Sequence, residues 1–293
     1  MQKIDPRTFV IFLHIQKTGG ITLQRMLRRK LGKSIGQRTV GLFSQQHKFA
    51  TVEQELKAKK LEDRYVVGHF CYGIHQFLPQ PYTYMSFLRE PVARICSLYH
   101  YSKNNATAYY HQQAKDQTLE DFALQTQLME LDNGQVRFLA GDAKDFFINR
   151  TPIGQCDDAL LKKAKENIEA HFSFIGLTEQ FDQSVLLLQK IMNWDSCFYL
   201  RRNTNAASQK SKSSISQELR AQIAERNSLD IQLYEFAKAR LAQQLQLHEL
   251  ENSSSALTTF QQQNAKFNRQ FGPVYNTYSQ AKSLVRGQLK RPS

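Results

Sequence analysis

FVIFLHIQKTGG, residues 9–20, is an apolar run that ends in a polar turn with two glycines. A continuous apolar run is typical of a strand that helices cover on both faces of a parallel sheet. In residues 21–31, leucines fall on one helical face and arginines on another, which predicts an amphipathic helix. A strand, a glycine turn and a basic helix in this order predict the start of an α/β nucleotide-binding unit.

The same alternation of strands and helices continues along the chain. Further strands are predicted at residues 65–67, 82–88, 172–177 and 197–200. Helices are predicted at residues 54–61, 92–102, 118–140, 158–171, 181–192 and, with a break near Asn227-Ser228, 215–247. The predicted fold class is therefore α/β, with a central, mostly parallel sheet flanked by helices. We expect one domain over residues 1–248 and a polar, basic extension over 249–293 that is helical or partly disordered.

Composition and charge narrow the class of protein. The chain has 293 residues, of which 41% are hydrophobic and 22% charged, so a disordered or fibrous protein is excluded. The net charge of +13 is concentrated in residues 1–50, 201–212 and 251–293. Such positive charge favours an anionic ligand, which can be a nucleotide, a nucleic acid or an acidic glycan.

Neither a metal site nor a membrane span is predicted. The four cysteines are far apart and form no zinc-binding spacing with histidines, so no metal is expected. No apolar run approaches the roughly 20 residues that span a bilayer. We therefore expect a cytoplasmic protein whose basic tail could contact a membrane surface.

The turn after the first predicted strand has the composition of an anion-binding loop. Gly19 and Gly20 let backbone N–H groups approach an anion, and the next helix directs its positive N-terminus toward it. Lys17 adds an ammonium group and Thr22 a hydroxyl. The lysine precedes the glycines, so this is not a Walker A motif, and GxGxxG is also absent. By themselves these residues also fit an ordinary strand-to-helix turn.

Two further groups of residues follow predicted strands. Arg89 ends the strand at 82–88, and Ser97 lies on the following helix, so together they could hold one phosphate. An arginine that pairs with Glu90 is the simpler reading of this segment alone. His69 and His75 follow the strand at 65–67 and are candidates for a general base, since imidazole titrates near neutral pH.

The motifs HIQKTGG (14–20) and FLREPVAR (87–94) resemble those of carbohydrate sulfotransferases that use 3′-phosphoadenosine 5′-phosphosulfate (PAPS). The likeness is strongest to the heparan sulfate 6-O- and 2-O-sulfotransferase group. It extends in the same order through NGQVRFLAG (133–141), FIGLTEQFD (174–182) and RRNT (201–204). The resemblance implies a P-loop-like sulfotransferase fold, PAPS as co-substrate without a metal, and a hydroxyl acceptor that is a glycan. No nucleic-acid partner is expected.

The resemblance also implies roles for single residues. It assigns the loop around the 5′-phosphosulfate to Lys17, Thr18, Gly19, Gly20, Ile21 and Thr22. It assigns the 3′-phosphate to Arg89 and Ser97. It assigns closure over the nucleotide to Arg201, Arg202, Asn203 and Thr204. The family usually has Thr or Ser where this chain has Ile21, so a side-chain hydroxyl is missing there.

The resemblance predicts catalytic roles for Lys17 and one histidine. The segment around His75 resembles the 6-O-type sequence and makes His75 the first choice for the base. His69, in the 2-O-type Gly68-His69 pair, is the second choice. The predicted function is sulfuryl transfer from PAPS to a hydroxyl group. The alternatives are a nucleotide-dependent kinase or NTPase, a basic nucleic-acid-binding protein, and a family member that has lost activity through Ile21.

Overall fold

The computed structural model of the chain describes residues 4, 5, 7–32, 65–78, 80–142, 145–200, 215–250 and 254–288. Its centre is a sheet with the strand order β2-β1-β3-β4. Every neighbouring pair of these strands is parallel. The strands are β1 (Phe9–Leu13), β2 (Tyr65–Gly68), β3 (Tyr82–Leu88) and β4 (Phe172–Leu177). The predicted α/β class with a parallel central sheet is confirmed.

Helices surround this sheet. They are α1 (Gly20–Leu31), α2 (Pro91–Asn104), α3 (His111–Ala114), α4 (Gly134–Ala140), α5 (Asp158–His171), α6 (Phe181–Ile191), α7 (Gln217–Arg226), α8 (Ser228–Leu247) and α9 (Ser254–Gln288). All five residues of β1 are buried because helices cover both faces of the sheet, as its apolar sequence requires. Within the described ranges, no helix is both long and apolar enough to cross a membrane.

The helix predicted over residues 118–140 was wrong in its continuity. The structure has a π-helical turn at Asp121–Gln125, a 3₁₀ turn at Met129–Leu131 and then α4. Asn133 stops the chain from continuing as one helix because its backbone has a left-handed φ of 52°. The Asn133 side chain accepts hydrogen bonds from the backbone N–H groups of Leu229 and Asp230 at the start of α8. The break therefore joins α4 to α8.

The strand predicted at residues 197–200 is also absent, although these residues are described. The backbone groups of Tyr199 bond to the side chains of Asn264 and Asn268 on α9 and not to another strand. The break predicted near Asn227-Ser228 is confirmed by the boundary between α7 and α8. The helix predicted at 54–61 lies outside the described residues.

The start of α2 is fixed by local sequence. Pro91 takes the first helical position, where a missing N–H group costs nothing. The Glu90 carboxylate accepts hydrogen bonds from the backbone N–H groups of Val92 and Ala93 at 3.0 and 2.7 Å. This cap leaves the preceding residue, Arg89, at the junction between the carboxyl end of β3 and the helix.

Candidate active site

Lys17 and Arg89 lie together at the carboxyl edge of the sheet. They follow β1 and β3, which are adjacent and parallel. The Arg89 guanidinium donates a hydrogen bond from Nη1 to the Lys17 carbonyl oxygen at 3.1 Å. The Arg89 side chain is 13% exposed, and its Nε lies 3.8 Å from a Glu179 carboxylate oxygen. This Nε is buried without a hydrogen-bond partner, and Glu179 is its ionic neighbour.

Lys17 has an unusual backbone and a perturbed side chain. Its φ of 68° is in the left-handed region, which a non-glycine residue adopts at a cost. Its Nζ lies 4.0 Å from the ring centroid of Tyr101 on α2. Burial, and then the positive charge of Arg89, lower the pKa of Lys17 to about 8. The ammonium group is thus still mostly protonated at neutral pH, but it loses its charge in a mildly alkaline solution.

The two glycines of the 17–22 loop are required by close contacts. Gly19 has a φ of 85°, and a Cβ there would lie 3.2 Å from the Phe181 ring. A Cβ on Gly20 would lie 2.0 Å from Cδ2 of His14, closer than real Cβ contacts allow. The backbone can therefore enter α1 only because both residues lack a side chain.

The other residues of the 17–22 loop differ in what they can offer to a ligand. Thr18 is fully buried, and its hydroxyl donates to the Ile15 carbonyl at 2.9 Å, so its side chain stabilises the turn. The Thr22 backbone N–H donates to the Gly19 carbonyl at 3.0 Å. Ile21 is 54% exposed at the start of α1, where an apolar side chain gains nothing from packing. The phosphate-binding roles of these residues remain predictions.

Ser97 and Arg89 are the residues predicted to bind the 3′-phosphate. Ser97 is half-buried on α2, six residues after Pro91 and so roughly 9 Å along the helix axis. Burial raises the pKa of its neighbour Cys96 to about 11, although the charges of Arg220 and Arg89 act in the opposite direction. Ser97 is thus on the helix that begins beside Arg89. The residues predicted to close over the nucleotide, 201–204, lie outside the described residues.

Gln135 and Thr178 support the site, and the sequence analysis gave them no role. The Gln135 side chain accepts from the Arg89 backbone N–H at 3.0 Å and donates to the Arg89 carbonyl at 2.9 Å. The Thr178 hydroxyl lies 2.8 Å from the Thr18 carbonyl and 3.0 Å from the Leu88 carbonyl. Both side chains therefore fix the backbone where β1 and β3 end.

Gln135 is itself held in place by buried polar contacts. The Asp230 carboxylate accepts from the backbone N–H groups of Gln135 and Val136 at 3.0 and 2.8 Å, which caps α4. A Cβ on Gly134 would lie 2.8 Å from the buried Arg94 guanidinium, so glycine lets α4 approach α2. The start of α8 thereby fixes the residue that holds Arg89.

A buried carboxylate supports the loop from its other side. Glu130 accepts hydrogen bonds on Oε1 from the Tyr110 hydroxyl at 2.7 Å and from the Gln16 side chain at 3.2 Å. Its Oε2 lies 4.0 Å from the Arg94 guanidinium. Burial raises the pKa of Glu130 despite this arginine. Because Gln16 directly precedes Lys17, this cluster anchors the beginning of the loop.

His69 has a neutral ring with a defined tautomer. Its Nδ1 lies 2.6 Å from the His14 carbonyl oxygen, which can only accept, so Nδ1 carries the proton and Nε2 keeps a lone pair. The two imidazole rings are 4.4 Å apart. Burial lowers the pKa of His69, so the ring is neutral at pH 7. A neutral ring with Nε2 unprotonated can take a proton from a hydroxyl group.

His75 has the opposite arrangement of its ring nitrogens. The Tyr84 hydroxyl accepts from the backbone N–H groups of Gly73 and His75 at 3.2 and 3.1 Å. Its own proton is therefore directed to His75 Nδ1, 3.0 Å away, and the neutral ring carries its proton on Nε2. Burial, and then His171, lower the pKa of His75 to about 4. This tautomer has no lone pair available for an acceptor hydroxyl.

His75 also lies at the far end of the sheet. Its ring centroid is 4.8 Å from that of Tyr82 and 5.4 Å from that of His171, at the amino ends of β3 and β4. Arg89 follows Tyr84 by five residues, which is roughly 17 Å along a strand. The structure therefore brings Lys17 and Arg89 together with the carboxyl end of β2, where His69 lies, but does not bring His75 to that edge. Which of His75 and His69 acts as the base stays a prediction.

A family model described as Galactose-3-O-sulfotransferase matches residues 1–270, most of the chain. The chain belongs to the galactose-3-O-sulfotransferase family. The carbohydrate sulfotransferase resemblance predicted from the motifs is therefore confirmed at the level of the family.

Individual relatives in this group are distant. A heparan-sulfate 6-O-sulfotransferase 3-B from Danio rerio is 27% identical, over 81% of this chain and 64% of the relative. A human heparan-sulfate 6-O-sulfotransferase 2 is 28% identical, over 87% of this chain and 48% of the relative. A galactose-3-O-sulfotransferase 2 from Mus musculus is 25% identical, over 78% and 61%. The chain thus spans less than two thirds of the length of each of these three.

Gln135 and Thr178, the two residues that support the backbone of the site, both lie in motifs that resemble those of the sulfotransferases. Gln135 lies within NGQVRFLAG and Thr178 within FIGLTEQFD, both of which matched the sulfotransferase pattern without an assigned role. Their partners are 46 and 160 residues away in the chain, and only the folded structure shows these pairs.

Proposed function

We propose that this chain transfers a sulfuryl group from PAPS to a hydroxyl group of a carbohydrate. The observation that carries the proposal is the hydrogen bond from the Arg89 guanidinium to the Lys17 carbonyl. PAPS has phosphate groups on the 5′ and 3′ positions of one adenosine, so its site needs two cations within one crevice. The family match and the names of the relatives support the same reaction class.

The residues present fit such a donor. The planar fork of the Arg89 guanidinium suits a phosphate oxygen. The start of α1 has no side-chain cap, which leaves its N-terminal N–H groups other than that of Thr22 for an anion. Lys17 precedes these groups by three residues and adds a full positive charge. We assign the 5′-phosphosulfate to the 17–22 loop and the 3′-phosphate to Arg89, with Ser97 as its second ligand.

In the proposed reaction the acceptor oxygen forms a bond to sulfur as the bond from sulfur to the bridging phosphate oxygen breaks. PAPS supplies the sulfuryl group, and adenosine 3′,5′-bisphosphate leaves. His69 accepts the acceptor's proton on Nε2, while its Nδ1–H keeps donating a hydrogen bond to the His14 carbonyl oxygen. The Lys17 ammonium stabilises the negative charge that develops on the bridging oxygen. Most of the rate gain then comes from positioning and charge stabilisation, by analogy with phosphoryl transfer.

Ile21 does not remove any of these groups. A residue at the start of a helix can bind an anion through its backbone N–H whatever its side chain is. The missing hydroxyl removes one hydrogen bond to the 5′-phosphate, and the net loss for one such bond to a charged group is about 1.5–3 kcal/mol. We therefore propose a donor site that is weaker than one with Thr or Ser here, but that remains active.

The test is incubation with PAPS that carries a labelled sulfuryl group and a panel of acceptors. The panel contains a galactose-terminated oligosaccharide, a heparan-type oligosaccharide, a tyrosine peptide and a simple alcohol. Label on one of the two carbohydrates, and none with the variant Lys17→Met, supports the proposal. Label on no acceptor, with purified and folded protein, contradicts it, and label only on the peptide or the alcohol contradicts the acceptor class.

A further inference from the structure

The C-terminal helix α9 holds the backbone of Tyr199 with two side chains. Asn264 accepts a hydrogen bond from the Tyr199 N–H at 2.8 Å, and Asn268 donates to the Tyr199 carbonyl at 2.8 Å. The two asparagines are one helical turn apart and so lie on the same face of α9. Asn264 is only 1% exposed. This pair satisfies both backbone groups of a residue that belongs to no strand or helix.

Aromatic side chains surround the same contact. The Phe198 ring centroid lies 5.9 Å from those of both Phe260 and Phe267 on α9. Phe260 also lies 6.5 Å from Tyr199. Aromatic pairs of this kind add packing energy beyond their buried area. The first half of α9 therefore packs against residues 198 and 199 and is hydrogen-bonded to Tyr199.

Tyr199 transmits this contact to the 17–22 loop. Its ring meets the Phe181 ring edge-on at 4.8 Å, and its hydroxyl bonds to the Asp182 carboxylate. Gln261 of α9 donates to the same carboxylate at 3.0 Å. The Phe181 ring covers Gly19 so closely that a Cβ there would lie 3.2 Å from it. The backbone of the 17–22 loop thus rests on a ring that α9 holds through Tyr199.

The far end of α1 contacts the same segment. The Arg29 guanidinium donates to the Phe198 carbonyl and lies 5.4 Å from the Phe267 ring centroid. Residues 198 and 199 therefore support α1 at its first turn, through Phe181, and at its last turn, through Arg29. α1 is the helix whose N-terminus is assigned to the donor.

We propose that Asn264 and Asn268 are positioning residues for the donor site. By fixing Tyr199 they hold Phe181 against Gly19, which sets the direction of the backbone N–H groups at the start of α1. This inference depends on the proposed function, because it assumes that these N–H groups bind the 5′ end of PAPS. It assigns to the C-terminal extension a part in nucleotide binding and none in acceptor binding.

The experiment measures the binding of adenosine 3′,5′-bisphosphate to the full chain by titration calorimetry. In the double variant Asn264→Ala/Asn268→Ala we expect binding to weaken about tenfold, because the loop must then be ordered at binding. The KM for PAPS should rise by a similar factor, while the KM for the acceptor changes less than about twofold. The control is Gln262→Ala, an exposed residue of the same helix, which should leave both values unchanged.

A second variant covers the case in which the double variant does not fold. Asn268→Ala, at a half-buried position, removes the bonds to the Tyr199 and Asn264 carbonyls but keeps the Asn264 side chain, and we expect about threefold weaker bisphosphate binding from it. Unchanged binding in either variant, with a circular dichroism spectrum like that of the unmodified chain, overturns the inference alone. An unmodified chain that binds no bisphosphate instead contradicts the proposed function, and the inference fails with it.

Discussion

The Arg89 guanidinium donates a hydrogen bond to the backbone carbonyl of Lys17 across 72 positions of the chain. This bond supports a lysine whose φ of 68° would otherwise be costly. It also places a positive charge near the ammonium group, which helps burial to lower the pKa of Lys17. The two cations thus form one site whose geometry is fixed before a ligand binds, and preorganised charge of this kind is effective in catalysis.

Replacement of Lys17 by Met should remove most of the turnover. We expect kcat to fall roughly 10²-fold or more, the loss typical of a removed charge-stabilising group. The measurement is the initial rate of label transfer at saturating PAPS. The exposed Lys30, in the last turn of α1, provides the control, because Lys30→Met should retain nearly the full rate. A Lys17→Met rate close to that of the unmodified chain would falsify the role proposed for Lys17.

The two histidines should respond differently to substitution. His69→Ala should lower kcat about 10²- to 10⁴-fold, because a positioned general base is lost. His75→Gln should leave kcat within about threefold, because His75 lies at the opposite edge of the sheet and its Nδ1 accepts from Tyr84. Both variants are assayed side by side with PAPS and one acceptor. The reverse pattern, with loss only in the His75 variant, would return the base to the first choice from sequence.

The pH dependence of kcat/KM for PAPS should have a limb on each side of neutrality. The Lys17 ammonium must be charged, and its pKa of about 8 predicts a fall as pH rises above this value. His69 must be neutral, and since burial lowers its pKa below 6.5, the acidic limb should lie below pH 6.5. In Lys17→Arg the residual activity should lose the alkaline limb, because arginine stays charged. An alkaline limb that persists unchanged in Lys17→Arg would show that another group causes it.

Gly20→Ala should destabilise the chain. It places a methyl group against His14, and we expect the free energy of unfolding to fall by about 1–3 kcal/mol. Urea unfolding of this variant and of the unmodified chain gives the comparison. Equal stability of Gly20→Ala and the unmodified chain would mean that the loop adopts another path.

The sequence predicted the parts of the site that depend on local pattern and sheet topology. An apolar run followed by glycines is enough to predict β1 and the start of α1. Lys17 and Arg89 were each predicted at a strand end, and parallel strands bring such ends to one edge. The roles of Gln135 and Asn264 could not be predicted, because each side chain bonds to a backbone N–H group that is distant in sequence. The choice between His75 and His69 as the base depended on where the chain turns after β2, and no local sequence pattern specifies this.

The most direct measurement compares the affinities for adenosine 3′,5′-bisphosphate and for adenosine 5′-monophosphate. The central claim is that Arg89 binds the 3′-phosphate while the 17–22 loop binds the 5′ end of the same nucleotide. The unmodified chain should bind the bisphosphate at least about tenfold more tightly, as expected for a charge-assisted hydrogen bond. In Arg89→Gln the two affinities should become nearly equal, and both should fall because the Lys17 carbonyl loses its hydrogen bond. A preference for the bisphosphate that survives in Arg89→Gln, or an unmodified chain without any preference, would contradict the account.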